Sequence, residues 1–352
     1  MAISDQDAKR WCYEIAKAAS GQEVALIVNR TDDKAFYTLY ADQAGLAHSS
    51  VVNMIELAND RGIREKHNLQ PRKLYTSLKG PSKMDAAMAE QNNIKLVSVS
   101  GKDAKRGRPL DALLATELKL TDLTSAGPFA LPTLGSPSVV PGLGGEAPEV
   151  DRLYMKLAYW LIDHAVGADP VGAVLVSKTG EIIGWAVNKK SLNSIFHAEV
   201  NLMQHYVGGN EKLPEAILYT TLKPCMMCAG MIEERGAGRL RVIYAQPDFG
   251  KDANNTLLDK TDRLWQLGAR GGLKVQTVGG VDVVDQLVQH VGATKSQKGT
   301  SGIVSQLALP QGKDMIVAAG QKLGDLLGDP PTDSDQVTRV LLHIGRFLHS
   351  LA

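Results

Sequence analysis

The sequence predicts an α/β fold of two tandem three-layer domains, each a mixed sheet with helices on both faces, followed by a C-terminal helical extension. Two observations predict this class. Short apolar strands alternate with helical segments in both halves of the 352-residue chain, which is typical of layered α/β folds. The second half also repeats features of the first half in the same order, and such repeats indicate duplicated structural units.

In the second half, a predicted hairpin comes first and two further strands follow. Residues 170–176 and 182–188 are apolar runs separated by a glycine-containing turn, a pattern that favours a β-hairpin. Residues 218–222 and 239–245 are the next two strands. Helical segments lie between the strands, so we expect strand and helix to alternate through this half.

The most informative motif is His197-Ala198-Glu199, followed by Pro-Cys-Met-Met-Cys at residues 224–228. Zinc favours tetrahedral nitrogen and sulfur ligands, and a catalytic zinc keeps one position for water, so one histidine and two cysteines leave that position open. A proline suits the first turn of a helix, so both thiols can face one metal from a helix start. Zinc-bound water loses a proton near neutral pH, and the glutamate is placed to carry that proton.

Two other interpretations apply to the cysteine pair. A Cys-x-x-Cys at a helix start is also typical of a thioredoxin-like redox site, but the upstream His-x-Glu disfavours that interpretation. A zinc knuckle would need a fourth ligand, and His205 is the nearby candidate. Because His205 lies two helical turns past His197, we interpret it as an ordinary polar or half-buried histidine.

His-x-Glu followed by Pro-Cys-x-x-Cys is the signature of zinc-dependent nucleobase deaminases. With its hairpin, this motif and Gly-Lys-Asp-Ala at 250–253, the region from Asp151 to His290 resembles the cytidine-deaminase-like superfamily, and within it the bacterial tRNA adenosine deaminases. The resemblance implies attack of zinc-bound hydroxide on a nucleobase and release of ammonia. It assigns zinc binding to His197, Cys225 and Cys228, proton transfer to Glu199, and contact with the base to Asn188 and Ala198.

The chain departs from the family in one place. Lys223 stands where relatives commonly have a glutamate before Pro-Cys. The residue is not a ligand, so metal binding is unaffected. We expect the rim of the pocket to be altered for a different substrate.

The first half carries an eroded copy of these features. Leu-Tyr-Thr-Ser-Leu-Lys at 74–79 nearly repeats residues 218–223, and Gly-Lys-Asp-Ala at 101–104 recurs at 250–253. Where the second half has its metal motifs, the first has His48-Ser49-Ser50 and then Pro-Ser-Lys-Met-Asp at 81–85. Serine and aspartate are poor replacements for soft thiolates. We therefore predict a catalytically inactive deaminase-like domain, with Cys12 a buried small side chain of its opening helix.

These observations divide the chain into four parts. We expect the inactive domain at 1–124, a Pro/Gly-rich linker at 125–148, the catalytic zinc deaminase domain at 149–298 and a helical extension at 299–352. Proline and glycine without a period indicate a linker. We also expect the two deaminase-like domains to pair with each other within the chain.

The end of the chain adds further predicted elements. A strand at 273–278 and an amphipathic helix at 281–291 complete the second domain. Helices at 315–327 and 337–351 follow, and the second repeats apolar residues at helical spacing, which requires a surface to cover. We expect this tail to pack against its own domain, and the alternative is a lid that limits access to the active site.

Composition excludes some classes of protein. We expect no signal peptide, because charged residues open the sequence, and no membrane-length apolar run occurs in it. Its three cysteines, two of them predicted ligands, fit a reducing cytoplasm. The net charge of +1 does not indicate a polynucleotide partner. Two local basic clusters, Lys102 to Arg108 and Arg235 to Arg241, are candidate phosphate contacts.

Three functions remain open. The first is an RNA-editing deaminase of a tRNA-like substrate, with the inactive domain positioning that substrate. The second is a deaminase of a free base, nucleoside or nucleotide, with the inactive domain as a built-in dimer partner. The third is a non-catalytic zinc-stabilised binding protein, which is disfavoured because a scaffold would not need Glu199. The motif match favours the first hypothesis and the neutral charge favours the second.

Overall fold

A computed structural model describes most of the two predicted domains and parts of the C-terminal tail. The residues described are 3–20, 22–29, 34–40, 49–59, 73–102, 106–107, 109–110, 119–122, 148–164, 169–206, 213, 215–248, 250–267, 313–314, 316–318, 321, 323, 325, 327, 340–342 and 344–348. The predicted linker up to residue 147, the strand at 273–278 and the helix at 281–291 lie outside these residues.

The chain divides into two compact units. The first comprises residues 1–131 together with 192–195 and 207–210, and the second comprises the rest. Each unit contains one five-stranded mixed sheet with helices packed against it. The predicted fold class is therefore confirmed.

The first unit opens with helix α1, Asp5–Ala18. The side chain of Ser4 accepts a hydrogen bond from the backbone of Asp7, and the Asp7 carboxylate accepts one from the backbone of Ser4, so the helix start is capped in both directions. Trp11 and Cys12 on this helix are fully buried in the unit's hydrophobic core. Burial raises the pKa of Cys12 to about 12, so this thiol is an unreactive apolar side chain, as predicted.

The five strands of the first sheet are β1 Glu23–Asn29, β2 Lys34–Tyr40, β3 Lys73–Thr76, β4 Lys95–Ser98 and β5 Lys119–Asp122. They lie in the order β4-β3-β1-β2-β5. β1 pairs antiparallel with both β2 and β3, whereas β4 runs parallel to β3 and β5 runs parallel to β2. Two helices complete the described part of the unit, α2 at Ser50–Asn59 and α3 at Lys83–Gln91.

The second unit begins with helix α4, Pro148–Trp160, which continues as a short 3₁₀ helix, Leu161–His164. The strands of its sheet are β6 Gly172–Ser177, β7 Ile182–Val187, β8 Ala216–Leu222, β9 Leu240–Gln246 and β10 Leu264–Gln266. They lie in the order β10-β9-β8-β6-β7. Helix α5, Ala198–Tyr206, follows the hairpin, and helix α6, Met226–Gly236, connects β8 to β9.

Two glycines shape the second sheet. A Cβ atom on Gly172 would collide with the carbonyl oxygen of Ala158 on α4, so only glycine allows the helix to lie this close to β6. Gly180, in the turn between β6 and β7, has a φ of 89°. The predicted hairpin turn therefore uses its glycine for a left-handed conformation that other residues rarely adopt.

Four adjacent strands have the same order and direction in both sheets, β4-β3-β1-β2 in the first and β9-β8-β6-β7 in the second. Ala25 pairs with Thr38 and Thr76 in the first sheet, and Ala173 pairs with Ala186 and Thr220 in the second. The sheets differ at their edges. In the first, β5 lies beside β2, and in the second, β10 lies beside β9.

The described residues between 313 and 327 and between 340 and 348 are helical, in agreement with the two predicted tail helices. Leu341 and Ile344, two residues of the predicted apolar face, are buried, and so are Val340 and Phe347. A Cβ atom on Gly345 would lie 3.4 Å from Leu327, which shows that the two helical stretches contact each other. Among the described residues, no helix is long and apolar enough to cross a membrane.

Candidate metal centre and active site

Two helix starts in the second unit bring the motif residues together. His197 directly precedes α5, and its carbonyl oxygen accepts the first helical hydrogen bond, from Asn201. Cys225 is the N-cap residue of α6, and Cys228 lies in the first turn of that helix. Both cysteines therefore face the same point from one helix start, as predicted from the Pro-Cys-x-x-Cys spacing.

The three predicted ligands form a compact triangle. His197 Nδ1 lies 3.6 Å from the Sγ atoms of both cysteines, and the two Sγ atoms lie 3.4 Å apart. Tetrahedral zinc, with bonds of about 2.1 Å to nitrogen and about 2.3 Å to sulfur, requires about 3.6 Å between N and S and about 3.8 Å between the sulfurs. The donor set and its spacing therefore fit a tetrahedral zinc ion with one position left for another ligand. Among the residues that the structure describes, His197, Cys225 and Cys228 are the group of potential metal ligands whose donor atoms all lie within 4.8 Å of one another.

Glu199 lies beside this triangle and is buried. Its side chain is 3% exposed. Oε1 accepts a hydrogen bond of 2.9 Å from the hydroxyl of Thr220 on β8, and Oε2 lies 3.4 Å from Cys228 Sγ. A carboxylate held this near the ligand set is placed to exchange protons with a group bound at the open position.

The buried ionisable groups of the site shift one another's pKa values. Burial raises the pKa of Glu199, and the charge of Cys225 raises it further. The hydrogen bond with Cys228 lowers the pKa of Cys225 well below its usual value, although burial acts in the opposite direction. Burial and the hydrogen bond with Cys225 raise the pKa of Cys228 well above its usual value, so Cys225 is the thiol of the pair that loses its proton first.

The predicted substrate contacts lie close to the metal triangle in the sequence. Asn188 directly follows β7 and is 5% exposed, and its Oδ1 accepts a hydrogen bond of 2.8 Å from the backbone of Lys190. Ala198 is fully buried at the first position of α5. Their contact with a base stays a prediction. His205 lies within α5, and its side chain is outside the described part of the structure.

Lys223, the residue that departs from the family pattern, is held by an ion pair. Its Nζ lies 2.8 Å from Asp259 Oδ1. Asp259 precedes Lys260 in a short 3₁₀ helix, Leu258–Lys260. Because Lys223 directly precedes Pro224 and Cys225, this ion pair ties the start of the cysteine motif to the later segment that contains Asp259.

Sequence reasoning did not single out Thr220 as a functional residue. The signal was nevertheless present, because Thr220 belongs to the apolar hexamer that the first half repeats. Thr76 stands at the matching position there and is also fully buried, but its hydroxyl oxygen accepts a hydrogen bond from the backbone of Leu78. The hydroxyl is thus retained in both copies, and only the second copy directs it at a carboxylate.

In the first unit, a hydrogen bond occupies the place of the metal centre. Helix α2 begins at Ser50 and α5 at Ala198, so Ser49 stands at the position of His197. By this register Ser49, and not His48, corresponds to His197, and His48 itself lies outside the described residues. The Ser49 hydroxyl donates to Asp85, the residue at the position of Cys228. Ser82 is the N-cap residue of α3, as Cys225 is of α6, but only the Ser82 side chain makes a capping hydrogen bond.

We expect Ser49→Ala to lower the free energy of unfolding by about 1–2 kcal/mol, because it removes both the bond to Asp85 and a helix cap. The Ser49 oxygen also accepts a hydrogen bond from the backbone of Val52, as an N-cap residue does. Urea denaturation followed by circular dichroism measures the change. Ser98→Ala, at an exposed strand position, is the control and should change stability by less than about 0.5 kcal/mol.

Comparisons with known proteins find that part of the chain is similar to deaminases. Residues 167–266 match the family described as Bd3614-like deaminase. The tRNA-specific adenosine deaminase of Haemophilus influenzae is 39% identical over 107 residues, which are 29% of this chain and 61% of that protein. The corresponding enzyme of Bacillus subtilis is 43% identical over 88 residues, 23% of this chain and 54% of that protein. The crystal structure of the dCMP deaminase from cyanophage S-TIM5 is 23% identical, covers 34% of this chain and 99% of that chain, and has a TM-score of 0.29.

Residues 167–266 therefore match a deaminase domain of the cytidine-deaminase-like class, which confirms the resemblance that the sequence predicted. Within that class, the region is similar to the Bd3614-like deaminases, and its curated relatives are named tRNA-specific adenosine deaminases. The chain spans less than two thirds of the length of these two curated relatives.

Proposed function

We propose that the protein is a zinc-dependent hydrolytic deaminase that acts on a nucleobase in RNA, with a tRNA-like substrate. The observation that carries the proposal is the triangle of His197, Cys225 and Cys228 with the buried carboxylate of Glu199 beside it. The names of the curated relatives support RNA as the substrate. We further propose that residues 1–124 are a catalytically inactive copy, since Ser49, Ser82 and Asp85 stand where a zinc site would need soft ligands.

Each residue of the site would have a separate role in the reaction. His197, Cys225 and Cys228 would hold zinc, which when bound supplies a water molecule that is acidic near neutral pH. Glu199 would accept a proton from that water and deliver it to the exocyclic amino group, which leaves as ammonia while oxygen takes its place. Asn188 and Ala198 would orient the base.

A second candidate is the deamination of a free base, nucleoside or nucleotide. The net charge of +1 favours it, because proteins that bind polynucleotides tightly usually carry basic surfaces. A non-catalytic zinc-stabilised protein is disfavoured by the buried Glu199, whose desolvation is costly where no reaction uses it.

The test is a product assay by mass spectrometry with the zinc-loaded protein. Free bases, nucleosides, nucleotides and total RNA are each incubated with the protein, and deamination adds about 1 Da because NH is replaced by O. A shift in an RNA nucleoside alone supports the RNA substrate, and a shift in the small molecules supports the second candidate. The absence of product from every substrate class would contradict the proposed activity.

We expect Thr220→Val to lower kcat roughly tenfold or more, because it removes the hydrogen bond that orients the Glu199 carboxylate. KM should change little, since Thr220 is a positioning residue and does not contact the substrate. Thr220→Ser keeps the hydroxyl and should restore most of kcat. If the valine variant folds normally and retains the parental kcat, the hydrogen bond has no role in the reaction.

A further inference from the structure

The side chain of Asn201 closes the base of the loop that connects β7 to α5. Asn201 is the fourth residue of α5 and is fully buried. Its Nδ2 donates hydrogen bonds of 2.9 Å to the carbonyl of Val187 and 3.2 Å to the carbonyl of Phe196. Val187 is the last residue of β7, and Phe196 stands two residues before α5 begins. One amide group therefore joins the two ends of the loop.

Each end of this loop adjoins a residue of the proposed active site. Asn188, the proposed base contact, follows Val187, and His197, a proposed zinc ligand, follows Phe196. The backbone N–H of Asn201 also donates to the carbonyl of His197, at 2.9 Å. Asn201 therefore contacts the backbone on both sides of the site from a single position on the helix.

The carbonyl of Val187 points away from the rest of the sheet. The backbone of Asn188 donates to the carbonyl of Val171 beside β6, at 2.9 Å. Successive residues of an antiparallel strand direct their backbone groups to opposite sides, so the carbonyl of Val187 faces away from β6. β7 is the last strand on that side of the described sheet. Asn201 thus supplies a hydrogen bond that no neighbouring strand of the described sheet can replace.

Packing alone does not explain an asparagine at this position. The Oδ1 of Asn201 is buried and has no hydrogen-bond partner among the residues that the structure describes. An unpartnered buried acceptor lowers stability. Leucine has the same branching at Cγ and would bring no polar atom into the core. What asparagine offers, and leucine does not, is the pair of N–H donors that hold Val187 and Phe196.

The amide of Asn188 is oriented so that its donor end is free. Its Oδ1 accepts a hydrogen bond of 2.8 Å from the backbone of Lys190, whereas its Nδ2 bonds to no residue that the structure describes. An amide N–H of this kind can donate to an acceptor atom of a base. Because Asn188 directly follows Val187, a shift of the Val187 carbonyl would move this donor.

We propose that Asn201 is a positioning residue that holds the Asn188 amide in place beside the metal centre. The proposal rests on the proposed function, because Asn188 has a base to contact only if the protein is a deaminase. Asn201 acts through the backbone carbonyls of Val187 and Phe196. His197 keeps its main-chain hydrogen bond whatever side chain residue 201 carries. Loss of the amide should therefore weaken binding of the base and leave binding of zinc unchanged.

Asn201→Leu in the full-length, zinc-loaded protein tests this role. With the substrate that the product assay identifies, we expect KM to rise roughly tenfold and kcat to fall by a smaller factor. Calorimetry in the Glu199→Gln background, where the substrate is not consumed, should give a Kd roughly tenfold weaker than in Glu199→Gln alone. Zinc content should stay at one per chain, and the visible absorption of the cobalt(II)-substituted protein should match that of the parent.

The matched control is Tyr154→Phe. It also removes a buried side-chain donor to a backbone carbonyl, the 2.8 Å bond from Tyr154 to Gly180. Gly180 precedes the start of β7, whereas Asn188 follows the end of that strand. Tyr154→Phe should therefore lower the melting temperature and leave KM, kcat and zinc content at parental values.

A double-mutant cycle with Asn188→Ala separates positioning from general destabilisation. Asn188→Ala should raise KM at least as much as Asn201→Leu. The double variant should be no worse than Asn188→Ala, because no donor is then left to position. Fully additive effects, or parental KM and Kd in a folded Asn201→Leu protein, would overturn the proposal.

Two further outcomes are also decisive. Asn201→Ala repeats the test without added bulk, and failure of both Asn201 variants to fold would show a purely structural role and overturn the proposal. A parent protein that deaminates no substrate would refute the proposed function and this role with it. A parent that deaminates its substrate beside an unaffected Asn201→Leu variant would refute this role alone.

Discussion

Replacing Glu199 by glutamine should lower kcat roughly 10²–10⁴-fold while the protein keeps its fold and its zinc. Glutamine has nearly the same shape and can still accept the hydrogen bond from Thr220, but it cannot carry a proton. General acid–base groups contribute rate factors of about this size. The measurement is kcat on the substrate that the product assay identifies, together with the metal content of the purified variant.

The control for this variant is Glu234→Gln, which neutralises an exposed carboxylate on α6. It should leave both kcat and zinc content at parental values. A Glu199→Gln variant that releases ammonia at the parental rate would remove Glu199 from the mechanism. Loss of zinc in the same variant would instead indicate that the carboxylate acts as a ligand.

Replacing Cys225 or Cys228 by alanine should abolish zinc binding and lower the melting temperature in the presence of zinc. Both side chains are buried, at 7% and 1% exposure, and metal binding at such sites contributes directly to folding free energy. Metal analysis of the purified protein should give one zinc per chain for the parent and none for the variants. The zinc-dependent rise in melting temperature should disappear with the metal.

Cys12→Ala is the matched control, because Cys12 is equally buried but lies in the core of the first unit. It should keep one zinc per chain and keep the zinc-dependent rise, although a small cavity lowers its stability in both states. A Cys225 variant that retains one zinc with parental stability would contradict the ligand assignment. Two zincs per parental chain would contradict the proposal that the first copy has lost its site.

The sequence predicted the parts of the fold that strong local patterns encode. Apolar strands such as β6 and β8 and the helix start after Pro224 were found because each has a clear periodicity or a characteristic cap. β10 was missed because it has three residues, Leu264–Gln266, all of them half-buried. The position of β5 beside β2 was also not predicted, since a strand's neighbours depend on how the whole sheet assembles.

His197, Cys225, Cys228 and Glu199 could be predicted as one group because they match the signature of zinc deaminases and suit zinc coordination, and the donor atoms of the histidine and the two cysteines do converge. Thr220 was not singled out although it lies in the repeated hexamer, since a threonine in a buried strand is ordinary and only the folded register directs its hydroxyl at Glu199.

The hydrogen bond between Ser49 and Asp85 has a consequence for how the protein forms in the cell. It links two helix starts through amino-acid side chains alone, so the first unit needs no bound metal to form this part of its structure. The N-terminal unit is also made first, and domains generally fold as they emerge. During zinc starvation, newly made chains would therefore form this contact but lack the metal that is proposed to stabilise the second unit, and quality-control proteases would encounter chains whose two units differ in stability.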